Sequence, residues 1–416
     1  MKKSLILGCC VTGAKFTPKN HKLTGNRVYD SICSGDLIPV GFEDIENELD
    51  KLLQLGCRYW HIHARNPETR EQSCDNDLYR VYGEIARRKN ANLIVSYGGS
   101  RNGVEIRNTI AEKGEWHRIS QASLSKPQGG ADFVTFQAAI ELQIACDLER
   151  QGFVEFNHEN GEFIIKGDLR FYTPSDLVTD NGIKVHSTDN GGDYGKSSAV
   201  VQYETLLRCI RERAHLGLPY EVEWVQNARS RFLTWLIVGQ IAQHVAHAGR
   251  LNITLLFGFS PKLPFPVTYR QFKRVVDQAK HIAKGHPNED RIRVSVAVGV
   301  AVLPQHSISV TQPMDVGPLK GQTLTPLDRL IAYAMEPDSG VDVLRTGLED
   351  TPYFQDENNT ILPTTNVHLV KHAKQMIERL GGEIVIDRST LTDFAISERK
   401  VAKAPKIDFI QQEVLA

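Results

Sequence analysis

The stretch Phe42–Thr69 reads FEDIENELDKLLQLGCRYWHIHARNPET. Its first part, Phe42–Leu55, is helical by periodicity, with Ile45, Leu49, Leu52 and Leu53 recurring at helical spacing. Its second part, Arg58–His63, is apolar and short and reads as a strand. Alternation along a strand places His61 and His63 on one face and Trp60, Ile62 and Ala64 on the other.

The same helix-to-strand rhythm runs along the chain. Strand-like runs fall at Leu5–Val11, Arg58–His63, Asn92–Tyr97, Asp132–Phe136, Tyr220–Val225, Asn252–Phe257, Arg291–Ala297 and Val341–Arg345. Amphipathic stretches lie between most of them, at Phe42–Leu55, Asp77–Arg88, Arg229–His247, Tyr269–Ile282 and Pro326–Met335. Repeated strand–helix units imply a parallel sheet, and eight of them imply an α/β fold closed as a (β/α)8 TIM barrel. An open, doubly wound sheet is the competing architecture.

The whole chain, 1–416, is expected to form a single barrel domain carrying long inserted loops after strands 3, 4 and 7. These insertions fall at about 112–130, 151–198 and 303–325. Within the second, NHENGEFIIKGD reads as a hairpin turning at Asn160-Gly161. Loops this long serve as lids, binding loops or oligomer contacts.

Composition narrows the class. Apolar residues make up 41% and charged residues 24% of 416 positions, which is ordinary for a soluble globular protein. A formal net charge of -1 gives no global reason to expect nucleic acid or an anionic membrane as partner. Seven scattered cysteines without a CxxC pair suit a reducing compartment, so a cytoplasmic location is expected. The opening MKKSLILGCC holds only Leu5-Ile6-Leu7 as an apolar run, short of the roughly 7–15 residues of a signal core. It reads as the first strand. No run approaches the roughly 18 residues of a membrane span.

Five groups could carry chemistry. His61 and His63 can offer two neutral imidazoles from one strand to a divalent metal at about 2.0–2.1 Å each, with a third protein ligand needed. HxH pairs are more often ordinary core histidines, but this one ends a strand. Arg345-Thr346-Gly347-Leu348-Glu349-Asp350 follows the last strand. Adjacent acids there are common in helix first turns. The functional reading gives one carboxylate to the metal and pairs the other with the arginine as a base. Ser96-Tyr97-Gly98-Gly99-Ser100 follows strand three, where glycines let backbone N–H groups approach an anion or carbonyl. Val11-Thr12-Gly13-Ala14-Lys15 follows strand one. Glu221 and Glu223 share a face of strand five, and a carboxylate on a lumen face needs a cation or donor partner.

Taken in order, these pieces resemble the β-keto acid cleavage enzymes, typified by the 3-keto-5-aminohexanoate cleavage enzyme. The matching segments are LILGCCVTGA, the Ile38–Thr69 segment, LIVSYGG, EVEW, VLRTGLED and GGEIVIDRSTLTDFAI. The resemblance covers most of the barrel and none of the three long loops. It implies a (β/α)8 barrel and a divalent transition metal, usually Zn2+, held by His61, His63 and Glu349. It implies Arg345 and Asp350 as the catalytic dyad. It implies Ser96 and the Gly98-Gly99 backbone on the substrate carboxylate, with Glu221 or Glu223 as a supporting glutamate. A homo-oligomer, a tetramer, is implied as well. Two departures bear on the substrate. Lys15 stands where the typifying enzyme has a glutamate for its substrate's amino group, which fits a neutral or anionic tail. Tyr97 replaces a threonine and is expected to narrow the pocket.

The reaction so implied joins a small-molecule β-keto acid and the co-substrate acetyl-CoA, giving acetoacetate and a new CoA thioester by retro-Claisen-type C–C cleavage. This is acyl transfer. A metal-dependent hydrolase or aldolase on the same barrel is the alternative among enzymes, although amidohydrolase-like barrels carry HxH on strand one. A non-catalytic metabolite-binding protein with a structural metal is the alternative outside them.

Overall fold

All eight apolar runs form parallel strands in a computed structural model of the chain. The described residues are 2–12, 37–98, 131–137, 149–166, 220–258, 264–301 and 311–386, less short breaks at 69, 71–72, 74, 151, 153, 225–226, 245–248, 285–288, 290–291, 352, 357 and 359. The strands are β1 (Ser4–Thr12), β2 (Tyr59–Ile62), β3 (Ile94–Gly98), β4 (Phe133–Gln137), β5 (Tyr220–Trp224), β6 (Gly249–Gly258), β7 (Ile292–Ala301) and β8 (Val343–Thr346). Each pairs in parallel with the next, from β1 on β2 to β7 on β8. Pairing of β1 with β8, Ile6 opposite Val343 through Cys9 opposite Thr346, closes the ring. The fold is therefore a (β/α)8 barrel, and the doubly wound alternative is excluded because an open sheet leaves two edges.

Helices cover the outside where the sequence alternates. They are α1 (Phe42–Gln54), α2 (Asn76–Lys89), α3 (Ala228–His244), α4 (Tyr269–Lys280), α5 (Pro326–Met335) and α6 (Asn366–Arg379). Capping fixes several starts. Asp75 accepts from the Asp77 N–H at the head of α2. Thr268 and Gln271 form a reciprocal capping box on α4. Thr325 caps α5, which has Pro326 in its first turn, and Thr365 caps α6. Helix α6 is absent from the helices read above, although Leu369, Val370, Ala373, Met376 and Ile377 form a buried stripe along it.

Strand alternation sorts the core into two layers. Leu5, Leu7, Trp60, Ile62, Val95, Tyr97, Val222, Ile253, Val298 and Leu344 face outward under the helices. Ile6, Tyr59, Ile94, Phe133, Ala297 and Val343 form a separate inner layer that plugs one end of the lumen. Tyr97 belongs to the outer set, and its hydroxyl donates to the Tyr79 carbonyl of α2 at 2.7 Å. It does not narrow a pocket in the lumen, contrary to the expectation above, because Ser96 beside it already points inward.

Of the insertions, 112–130 lies outside the described residues. In the second, Val154–Asn157 and Glu162–Ile165 pair antiparallel. The turn spans His158–Gly161, with Gly161 at φ 73°. The hairpin packs its Phe156 and Phe163 rings on Phe232 of α3 at 5.6 and 5.3 Å between centroids. In the third, Gln312–Pro313 pairs with Thr323–Leu324 just before α5. No helix among the described residues is long and apolar enough to cross a membrane.

Candidate metal centre

Above the apolar plug the lumen turns polar. The next inward positions are His61 on β2, Ser96 on β3, Thr135 on β4, Glu221 and Glu223 on β5, Thr254 on β6 and Arg345 on β8, all buried. This settles the face of the two glutamates. Both look into the barrel, as the period of two requires once Val222 faces out.

His61 and His63 converge with Glu349, which lies 286 residues beyond His63 in the chain. His61 Nε2 and His63 Nε2 are 3.3 Å apart. Glu349 Oε1 lies 3.1 Å from His63 Nε2, and Glu349 Oε2 lies 3.5 Å from His61 Nε2. The three side chains are buried, and one ligand atom from each falls within 4.8 Å of the others. Two imidazole nitrogens and a carboxylate oxygen are the donor set of a catalytic zinc site, which keeps a further position for water or substrate. Burial alone would raise the Glu349 carboxyl, but His63 and His61 outweigh it and hold the group well below the usual carboxylate range. Burial works to lower the His61 imidazole, but Glu349 overcomes it and the net shift is upward. Ion uptake therefore displaces a proton from the His61 imidazole, and affinity falls as pH falls.

Charge also fits a dication. Arg345 Nη1 lies 2.9 Å from Glu223 and 3.8 Å from Glu221, and its Nη2 lies 3.7 Å from Glu349. Its Nε and Nη2 grip Asp350 in a two-point pair at 2.8 and 3.1 Å. Burial would strip the Arg345 proton, but Asp350 foremost, with Glu223 and Glu349, holds the group firmly cationic. Arg65 is the second cation beside Glu349. Burial brings it down to about 10, so it stays charged at neutral pH. Among the described residues, four carboxylates thus gather around Arg345, with Arg65 acting on Glu349. Buried charge of one sign is costly, and a divalent cation offsets the excess of carboxylates here.

Two glycines make the geometry possible. Gly347 sits at φ 138°, a conformation side chains rarely adopt, and a Cβ there would collide with the Cys10 backbone. That close approach brings Glu349 onto Cys10, whose carbonyl accepts from the Glu349 N–H at 3.3 Å. A Cβ on Gly98 would collide with the His63 ring itself. Gly98→Ala is therefore expected to push His63 off the site and weaken zinc affinity by at least about tenfold. Competition with a chelator measures it, and unchanged affinity would show that His63 is free to move.

The other sequence candidates fall as follows. Ser96 is fully buried, with its hydroxyl engaged by His61 and Glu221 below the metal position. Gly98 lies against His63. Lys15 and Gly99 lie outside the described residues. Tyr59 and Thr254, which both donate to Glu221, were not singled out from the sequence. Tyr59 shares the inward face of β2 with His61, and that was the available signal.

Comparison with known proteins adds the fold. No family model matches the sequence, and no curated protein matches it. Among solved structures, apo ObcA superposes with a TM-score of 0.50 at 12% identity, over 86% of this chain and 65% of ObcA. This chain has the barrel fold of ObcA. Its binary complex with oxaloacetate gives 0.49 at 12% identity, over 86% and 67% of the two chains. Its ternary complex with a C4-CoA adduct and oxalate gives 0.48 at 12%, again over 86% and 67%. The chain thus spans 65% of the length of apo ObcA. The likeness agrees with the barrel that the β-keto acid cleavage resemblance implies.

Proposed function

We propose that the chain is a metal-dependent acyltransferase that cleaves a β-keto acid with acetyl-CoA. The observation that carries this reading is the meeting of His61, His63 and Glu349 beside the buried Arg345–Asp350 pair. The metal-ligand half and the acid–base half of RTGLED plus HIH come together at one end of one lumen. The ligands named in the ObcA complexes, oxaloacetate and a C4-CoA adduct, are of the same chemical classes.

The balance is an exchange of acyl groups. A β-keto acid and acetyl-CoA give acetoacetate and the CoA thioester of the remaining acyl unit. When bound, Zn2+ or another divalent transition metal would polarise a ketone oxygen as a Lewis acid. The chain's own residues do the rest. Asp350 accepts a proton from the carbon between the ketone and the carboxylate. Arg345 fixes both Asp350 oxygens in plane and offsets the carboxylate charge. Glu223, 2.9 Å from Arg345, holds the opposite side of the guanidinium. In this proposal the Gly98-Gly99 backbone N–H groups meet the substrate carboxylate, and Lys15 selects a neutral or anionic tail. A homotetramer in the cytoplasm completes the proposal.

The test is a screen of β-keto acids, dicarboxylates included, with acetyl-CoA labelled in the acetyl group. The label is expected in acetoacetate, with a new thioester formed in equal amount. Turnover without CoA would instead make the chain a hydrolase or aldolase. Zinc retention with no turnover across the panel would make it a binding protein.

A further inference from the structure

We propose that Glu221, acting through the Ser96 hydroxyl, keeps the His61 proton on Nδ1 and so turns a bare Nε2 toward the metal position. Glu221 and Ser96 are then positioning residues for a metal ligand. This deepens the reading of His61, His63 and Glu349 as ligands and rests on it.

Hydrogen-bond direction carries the inference. Ser96 has one hydroxyl proton and, besides the Tyr59 hydroxyl, three close partners. Glu221 Oε2 is 2.6 Å from Ser96 Oγ, His61 Nδ1 is 2.9 Å away, and Thr135 Oγ1 is 3.1 Å away. A carboxylate can only accept. Two acceptors at 2.6 Å would repel, so the Ser96 proton lies on the bond to Glu221. Only lone pairs then remain on Ser96 Oγ, and both other partners must donate to it. Thr135 can do so by rotating its hydroxyl. His61 can do so only from Nδ1–H, and a neutral imidazole with that proton carries its lone pair on Nε2. Nε2 is the atom that lies 3.3 Å from His63 Nε2 and 3.5 Å from Glu349.

Glu221 is itself held in place. The Tyr59 hydroxyl donates across both of its oxygens at 2.7 and 2.6 Å. Thr254 donates to Oε1 at 2.6 Å. Tyr59, His61, Ser96, Glu221 and Thr254 are each fully buried. Three hydroxyls around one carboxylate leave Ser96 a single useful orientation. Groups that orient a ligating imidazole through its other nitrogen are worth about 10–100-fold in metal affinity.

The experiment combines a direct readout with a double-mutant cycle. In the full-length, metal-free protein, imidazole 15N spectra are recorded at a pH where His61 is neutral. The expected signal is a proton on His61 Nδ1, and a proton on Nε2 would overturn the proposal. Zinc affinity is then measured for Ser96→Ala, Glu221→Gln and the double variant. Glu221→Gln alone is expected to weaken zinc about 10–100-fold. In the Ser96→Ala background the same change is expected to add little, because its route to His61 is gone. An equal cost in both backgrounds would mean that Glu221 acts through its charge alone and would overturn the relay. A wild type that binds no zinc would remove the ligand reading, while the 15N result would still decide the His61 tautomer.

Discussion

Replacing both histidines, His61→Ala with His63→Ala, is expected to lower zinc from about one ion per chain to below about 0.1. The loss is this large because the site has three protein ligands and the change removes both nitrogens. Glu349 alone cannot hold a zinc ion against water and buffer. The fold should survive, since Arg345 and Arg65 still face the Glu349 carboxylate and the apolar plug of Ile6, Tyr59, Ile94 and Phe133 is untouched. Metal analysis of the purified variant, with circular dichroism as the folding control, reads the outcome. Zinc retained near one per chain would place the ion elsewhere.

Asp350→Asn is expected to leave zinc content unchanged and lower kcat by about 10²–10⁴-fold, the usual range for a lost general base. The amide keeps the shape of the side chain but cannot accept the proton. Its partner Arg345 remains compensated by Glu223 at 2.9 Å, so no charge is stranded in the lumen. A change to alanine would confuse the test, because breaking a buried pair costs about 3–5 kcal/mol. Steady-state rates with the β-keto acid found in the screen, alongside metal analysis, separate the two roles. Loss of zinc together with activity would mean that Asp350 serves the metal position and not the proton.

Much of this architecture could be read before any coordinates. Each of the eight strands lies close to its apolar run, and Pro326–Met335 is helical over the same residues as expected. The histidine pair was legible because a period of two leaves no choice of face once Trp60 and Ile62 are apolar. The same rule put Tyr97 outward as soon as Ser96 was taken as inward, and the expectation for Tyr97 did not apply it. Glu221 and Glu223 were ambiguous because a charged pair on a strand fits solvent as well as a polar lumen. Only the ring of β3, β4 and β6 around them, supplying Ser96, Thr135 and Thr254, decides it. Such convergence depends on strand register around a closed barrel, which no single segment encodes. Helix α6 was missed although Leu369, Val370, Ala373, Met376 and Ile377 recur at helical spacing.

Zinc K-edge X-ray absorption on the zinc-loaded wild type tests the central claim most directly. The expected spectrum shows two imidazole nitrogens at about 2.0–2.1 Å and oxygen at about 2.0–2.2 Å, with no sulfur. A sulfur shell near 2.3 Å, or scattering without the imidazole ring pattern, would contradict the three-residue centre on which the proposed chemistry stands.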